Sequence, residues 1–284
     1  MSNNSSGYSS IASDSNFPRR LIGAADPELA DRMAERHEAL LAGAPTNSGV
    51  RMGLAMGSAA IATAAVASDL FGQGSALPGI VVDVLNFALT LEHLEAEFYV
   101  TGVGTSGLIP ADVMPVFDQI RKHEVAHVAL LKSVLGGRQA AKPQFDYTGG
   151  AGSMRGPFAD VFTNFQTFAA VSQAFEDTGV RAYKGQAANL MGSPEILETA
   201  LKIHSVEARH ASEVRRIRQQ KGWITRDSRG NLPPQTQGVY EGEGNTFHFI
   251  LARPGSGLSM SEAFDEPLTK AKVLDIVAPF IASH

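Results

Sequence analysis

The sequence contains a pattern of glutamate and histidine that occurs twice. Each copy has a lone glutamate followed by a Glu-x-x-His motif: Glu92 with Glu124 and His127, then Glu176 with Glu207 and His210. The interval from lone glutamate to motif is 32 positions in the first copy (124 − 92) and 31 in the second (207 − 176). Residues three apart share one face of an α-helix, so each motif offers a carboxylate and an imidazole to one ion. The pattern predicts a helical protein whose two halves share a two-metal site.

Each lone glutamate also has a tyrosine two helical turns further along the chain. Tyr99 follows Glu92 by seven positions, and Tyr183 follows Glu176 by the same interval (99 − 92 and 183 − 176). This spacing places each tyrosine over its glutamate on one helix face. We interpret both tyrosines as core residues whose hydroxyls bond a carboxylate. Glu95 also faces inward, but the tyrosine offset favours Glu92 as the ligand and leaves Glu95 as a neighbouring or alternate one.

The residue types of the pattern suit two adjacent divalent metal ions. Bridging the ions requires carboxylates, and four glutamates with two histidines match the ligand set of carboxylate-bridged four-helix proteins. The chain has no cysteine, which excludes disulfides, thiolate metal sites and cysteine nucleophiles. Oxygen-rich ligation with some nitrogen favours iron or manganese over copper. We therefore expect two Fe or two Mn ions and leave the choice between them open.

Three other histidines lie close to these residues in the sequence. His204 is one turn before Glu207, and we interpret it as a satisfied or exposed histidine. His93 and His123 directly adjoin predicted ligands, so we expect their side chains to point elsewhere.

Apolar periodicity places the pattern on four helices of an all-α bundle. The predicted helices span about 80–101, 110–135, 157–191 and 194–220. The long segment 136–156 separates the second helix from the third, whereas the other connections are short. We therefore predict two antiparallel hairpins joined by a long crossover, with helices two and three parallel.

The remaining chain divides into an N-terminal and a C-terminal region. Residues 1–25 are predicted to be a flexible arm, and residues 26–78 form N-terminal helices. Within them, the uncharged, small-residue segment 52–68 is a packed helix, a membrane anchor or an export signal. After the bundle, 79–222, the extension 223–284 is irregular or holds a short hairpin, and a short final helix follows. We take this extension as a brace on the bundle.

Composition limits the classes of partner. With 44% hydrophobic residues the chain supports a substantial core, and its net charge of −5 lacks the basic footprint of a nucleic-acid binder. We expect a homo-oligomer or larger assembly, no nucleic acid, and membrane contact only through 52–68. For localisation the periplasm or cell envelope is favoured over the alternative, the cytoplasm.

The stretches at 85–99 (LNFALTLEHLEAEFY) and 123–127 (HEVAH) resemble the bacterial ferritin-like domain family, which includes plant desiccation-related proteins. The resemblance covers about residues 80–222. It implies a ferritin-like four-helix bundle with a di-iron or di-manganese centre. Glu207-Ala-Arg-His210 is similar to the Asp-Glu-x-Arg-His element of oxygen-activating di-iron enzymes. Val206 replaces the aspartate, so a partner that orients a ligating histidine must come from elsewhere.

Two hypotheses about function follow. In the first, the two-metal centre reacts with oxygen or peroxide, as a ferroxidase, a peroxidase or a manganese-type catalase in stress protection. In the second, the protein is a structural or assembly protein whose metal only stabilises the fold. Its N-terminal region would then contact a partner or a membrane.

Overall fold

The computed structural model describes residues 77–248, 253–254 and 258–282. The predicted flexible arm 1–25 and the N-terminal helices, with the segment 52–68, lie outside this range. Among the residues described, no helix is both long and apolar enough to cross a membrane.

Four long helices make up most of the described chain. They are α1 Gly79–Gly104, α2 Met114–Leu135, α3 Phe165–Gln186 and α4 Pro194–Ile217. Helix α1 packs along α2, α3 packs along α4, and α1 also contacts α3. The all-α prediction is confirmed, and the arrangement is consistent with a four-helix bundle. Short 3₁₀ turns, Gly136–Arg138 and Ala187–Leu190, follow α2 and α3.

Two helices begin later than the apolar pattern predicts. Helix α2 starts at Met114 rather than near 110, because the residues before it form a turn in which the Met114 amide donates to Pro110 O at 2.9 Å. Helix α3 starts at Phe165 rather than near 157. Its N-cap is Asn164, whose side-chain oxygen accepts a hydrogen bond from the Gln166 amide at 3.0 Å. Phe162 therefore precedes α3 instead of lying on it.

The connection between α2 and α3 lies against α1. The Ala140 amide donates to the side-chain oxygen of Asn86 at 2.6 Å, and the Tyr147 hydroxyl donates to Leu94 O at 3.0 Å. Further along, the ring of Phe162 lies 5.6 Å from that of Phe98. The connection thus follows α1 from its first turns towards its last, a course consistent with the predicted crossover.

The C-terminal extension consists of short elements. They are α5 Gln237–Tyr240, a two-residue antiparallel pair of β1 Phe247–His248 with β2 Arg253–Pro254, α6 Leu258–Ala263 and α7 Lys270–Val277. The side chain of Thr269 caps α7 by accepting from the Lys272 amide at 3.2 Å. Short 3₁₀ turns, Pro234–Thr236 and Ala278–Phe280, precede α5 and follow α7. The predicted final helix is confirmed.

Arg181 of α3 fastens the extension to the bundle. Its buried guanidinium donates to the carbonyl oxygens of Val239, Glu241 (2.9 Å) and Glu266 (2.8 Å), and pairs with Glu243 at 2.7 Å. The Leu268 amide returns a hydrogen bond to Arg181 O at 3.1 Å. The extension therefore braces α3, as predicted.

Two apolar clusters close the bundle on either side of the predicted ligands. On α2, Glu124 and His127 lie between Ile120, which belongs to an aromatic-rich cluster, and Leu131, which belongs to an aliphatic one. The stacked rings of Phe98 and Phe168, 4.7 Å apart, are part of the first cluster. The polar centre is thus enclosed by apolar layers that limit its contact with water.

Candidate metal centre

The structure brings all six predicted ligands together in the interior of the bundle. Within the described residues, side-chain ligand atoms form two groups whose members lie within 4.8 Å of one another: Glu92, Glu124, His127 and Glu207, then Glu124, Glu176, Glu207 and His210. Glu124 and Glu207 belong to both groups. Each group could hold one metal ion, so the geometry suits two neighbouring ions with two shared carboxylates.

Helical spacing explains how each motif reaches the interior. On α2, Glu124 and His127 are buried, whereas Val125 and Ala126 between them are exposed. Because α2 presents the same face every three to four residues, the ligands continue the apolar stripe through Ile120.

Both histidines turn the same nitrogen towards the carboxylates. His127 Nδ1 lies 3.1 Å from Glu92 Oε2 and 3.2 Å from Glu124 Oε2. His210 Nδ1 lies 3.1 Å from Glu176 Oε2 and 3.0 Å from Glu124 Oε1. Nδ1 is therefore the nitrogen that each ring would offer to an ion.

The two tyrosines bond carboxylates, as predicted, but not those on their own helices. The Tyr99 hydroxyl donates to Glu176 Oε1 and the Tyr183 hydroxyl to Glu92 Oε1, each at 2.5 Å. A separation of seven residues is about 10 Å along a helix, which is too far for a direct hydrogen bond. Each tyrosine instead reaches the glutamate of the facing helix, so α1 and α3 run in opposite directions.

Burial and mutual repulsion shift the pKa values of the carboxyls. Burial raises the pKa of Glu124 to about 7. Burial and the neighbouring carboxylates raise the pKa of Glu207 and of Glu95 well above the ordinary value. Burial also acts on Glu92, but its ion pair with His127 outweighs this and holds the pKa below the usual range. The ionised forms of most of these clustered carboxyls are thus disfavoured, and a bound cation would stabilise them.

The pKa values of the two histidines are also raised. Burial opposes protonation of His210, but the carboxylates of Glu176 and Glu124 outweigh it and raise its pKa to about 11. The pKa of His127 is raised in the same way, chiefly by Glu92. The surrounding carboxylates therefore favour a positive charge here, whether it is a proton on a histidine or a divalent metal ion.

Glu207 provides the clearest test of whether these residues fit metal. Both of its carboxylate oxygens are buried and have no hydrogen-bond partner among the described residues; its nearest cationic neighbour is His127 Nδ1, at 3.4 Å. A Cβ atom at Gly179 would lie 2.8 Å from Glu207 Oε2, so the absence of a side chain at this position leaves room for the carboxylate. A buried carboxylate without partners is costly, and a metal ion would satisfy it. The donor set fits a divalent metal.

Glu95 stands apart from the ligand groups. It is buried on α1 one turn after Glu92, and its Oε1 would lie 3.4 Å from a Cβ atom at Gly179. Among the described residues it is a member of neither group of ligand atoms. The geometry therefore favours Glu92 over Glu95, as the tyrosine spacing predicts.

His123 has a role that sequence reasoning missed. Its Nδ1 lies 2.9 Å from His210 Nε2, and the two rings stack 5.2 Å apart at 12°. His123 is in neither group of ligand atoms, but a turn of about 100° per residue directs it towards α4, where it contacts His210. Its spacing of four from His127 was the available signal. His204, by contrast, bonds Val180 O at 3.0 Å, as a satisfied histidine would.

An open cleft leads from the surface to this pair of histidines. It lies between α2 and α4, has a volume of about 710 Å³, and is lined by residues that include Gln119, His123, Arg209 and His210. His210 is the predicted ligand that this cleft reaches, so a small molecule in the cleft would approach the centre from the His210 side.

The chain matches a family model described as a ferritin-like domain over residues 80–220. This range contains all four long helices from the second residue of α1 onwards, and it includes the six predicted ligands. No curated protein matches the chain. The narrower kinship with desiccation-related proteins stays a prediction.

Proposed function

Residues 80–220 of this chain belong to the ferritin-like domain family, and from this we propose that the protein binds two iron or two manganese ions and reacts with oxygen or peroxide. The observation that carries the proposal is the pair of overlapping ligand groups, which share Glu124 and Glu207. Each of the two metal positions would then be completed by one lone glutamate and one histidine. Such oxygen-rich ligation suits iron or manganese.

The side chains around the centre have distinct parts in this proposal. When bound, the ions would supply Lewis acidity and a change of oxidation state. Glu124 and Glu207 would lie between them. Tyr99 occupies one oxygen of Glu176 and leaves the other facing His210, and Tyr183 does the same for Glu92 beside His127. Each tyrosine thus orients its glutamate and leaves one oxygen free for the ion.

Water exclusion and access are divided between different parts of the bundle. The apolar clusters on both sides keep bulk water from the carboxylates. The cleft beside His123 and His210 offers oxygen or peroxide a route to the centre. This division suits a reaction with a small oxidant better than one with a large substrate.

Metal content of the purified protein tests the proposal first. We expect about two iron or manganese ions per chain, measured by elemental analysis on protein prepared without added metal. Glu124→Gln combined with Glu207→Gln should remove nearly all of this metal while nearly conserving side-chain volume. The matched control, Glu97→Gln with Glu198→Gln, alters two exposed carboxylates on α1 and α4 and should retain it.

The same proteins then test the reaction. The metal-loaded protein and its control variant should consume dissolved oxygen or hydrogen peroxide, and the ligand variant should not. Equal metal in all three proteins would refute the ligand assignment. A fully loaded protein that consumes neither oxidant would refute the proposed chemistry.

A further inference from the structure

The inner part of the centre has an approximate two-fold symmetry. Four residues of the first half correspond to four of the second half. The pairs are Glu92 and Glu176, Tyr99 and Tyr183, Glu124 and Glu207, and His127 and His210. Two kinds of contact repeat as well as the residues. Each tyrosine hydroxyl lies 2.5 Å from the lone glutamate of the other half, and each histidine Nδ1 lies 3.1 Å from the lone glutamate of its own half. These contacts alone would give two ions equivalent surroundings.

The symmetry fails at the residue that precedes each Glu-x-x-His motif. His123 precedes Glu124 on α2 and bonds His210 of α4. The two-fold relation carries this contact to Val206 and His127, but a valine side chain has no polar atom to offer. Among the described residues, the hydrogen bonds of His127 all involve Nδ1. Within the described part of the chain, only one of the two histidines therefore has a partner on its outer nitrogen.

The hydrogen bond that His210 makes to His123 fixes the tautomer of His210. Since Nδ1 of His210 faces the carboxylates, its Nε2 carries the hydrogen and donates to His123 Nδ1. The hydrogen of His123 is then on Nε2, 2.7 Å from the side-chain amide nitrogen of Gln119. The Gln119 side chain accepts a hydrogen bond from His123 Nε2 when its amide oxygen, rather than its nitrogen, faces the ring. The contact with His123 thus holds the His210 ring with Nδ1 towards the carboxylates.

We infer that the two metal positions differ in affinity, and that His123 is the positioning residue responsible. This inference rests on the proposed function. The His210 position, completed by Glu176, binds metal more tightly than the His127 position, completed by Glu92. Loss of a hydrogen-bonding partner behind a ligating histidine typically weakens metal binding about 10- to 100-fold. We expect a difference of that order.

Variants that leave one position intact separate this effect from repulsion between two ions. Glu92→Gln impairs the His127 position, and Glu176→Gln impairs the His210 position. Calorimetric titration with Mn²⁺ under anaerobic conditions then gives the affinity of the remaining position. We expect Glu92→Gln to retain the tighter binding. Adding His123→Val should weaken it about 10- to 100-fold, but should change the Glu176→Gln protein by less than about threefold.

Exchange and control variants test the mechanism. Val206→His in the Glu176→Gln protein supplies the missing partner and should strengthen Mn²⁺ binding at the His127 position. His123→Gln offers an amide oxygen to His210 and should restore part of the affinity that His123→Val loses. His93→Val is the matched control, because His93 adjoins Glu92 as His123 adjoins Glu124, and it should leave both affinities unchanged.

The outcomes distinguish this inference from the proposed function. If the natural sequence binds no Mn²⁺, the proposed function fails. If it binds two ions but His123→Val leaves both affinities unchanged, or weakens both equally, the inference is overturned and the metal centre stands. Failure of both Val206→His and His123→Gln to raise affinity would likewise overturn the assignment of His123 as a positioning residue.

Discussion

Glu92 and Glu95 lie one turn apart on α1 and are both buried, yet their surroundings assign them different states. Glu92 Oε1 accepts from Tyr183 and its Oε2 faces His127, contacts that stabilise an ionised carboxylate. Glu95 experiences burial and the charges of the ligand carboxylates, which raise its pKa well above the ordinary value. The surroundings therefore favour the protonated form of Glu95 and the ionised form of Glu92.

Exchanging each carboxyl for an amide separates the two residues. Glu92→Gln should lower bound metal from about two ions per chain to about one, since it removes a ligand from one position only. Glu95→Gln nearly conserves size at a residue that belongs to neither group of ligand atoms, and should leave metal content unchanged. Elemental analysis of both purified variants makes the comparison. The reverse result would make Glu95 the helix-one ligand.

At this scale the sequence predicts which side chains gather at the centre better than it predicts their partners. Glu124, His127 and the lone glutamates follow from helical periodicity and from the repeat, both of which are local. The tyrosine partners and the contact of His123 with His210 depend on which helix faces which, and on the rotation of each helix about its axis. Periodicity within one helix carries no information on either.

The elements differ in how well local signals define their ends. Thr269 caps α7 where the sequence predicts it, because an N-cap is a local interaction. Helix α3 begins eight residues after its predicted start (165 − 157), because the capping Asn164 ends the turn before it. Asp160 fixes that turn by accepting hydrogen bonds from the side chains of Asn164 and Thr167. The apolar residues in the turn have the spacing expected of a helix, but they precede α3 and pack against the bundle.

The junction between α3 and the C-terminal extension depends on a glycine. A Cβ atom at Gly185 would lie 1.9 Å from Leu268 O, so Gly185→Ala must displace the extension. We expect the free energy of unfolding to fall by about 1–3 kcal/mol, although alanine is the better helix former. Urea unfolding followed by circular dichroism and by the fluorescence of Trp223, the only tryptophan, would measure it.

The control for this change is Gly192→Ala. A Cβ atom at Gly192 would have no neighbour within 4 Å, so its effect should stay within about 0.5 kcal/mol. If Gly185→Ala is as stable as Gly192→Ala, the extension does not depend on this contact with α3.

The raised pKa values at the centre couple the folding of the whole molecule to protons. Without metal, burial raises the pKa of Glu124 from 4.5 to about 7, and the pKa values of Glu207 and Glu95 shift in the same direction. An acid with a higher pKa in the folded state contributes stability below its unfolded pKa of 4.5, and this contribution is lost as the pH rises through about 7. The raised pKa of His210 acts in the same direction above pH 6.5.

The melting temperature of metal-free protein should therefore fall as the pH rises from 5 to 8, by on the order of 5 °C. Saturating Mn²⁺ should reduce or reverse this dependence, because metal binds the deprotonated carboxylates. Circular dichroism melting with a chelator and with Mn²⁺ would test both statements. Parallel curves in the two conditions would show that the carboxylates of the centre do not control stability. The Glu124→Gln, Glu207→Gln protein should lose most of the dependence.

The hydrogen bonds of Tyr99 and Tyr183 to the opposite half, and the glutamates shared by both ligand groups, also bear on how such a chain could arise. Each ligand group contains residues from both helix pairs, α1–α2 and α3–α4. An ancestor with a single helix pair could therefore have built the centre only by associating with an identical copy. Fusion of two copies into one chain would free each to change alone. Glu95 opposite Gly179 and His123 opposite Val206 would then be two places at which the copies have diverged around the candidate centre. Divergence of this kind would give one member of a formerly identical pair of sites its own task.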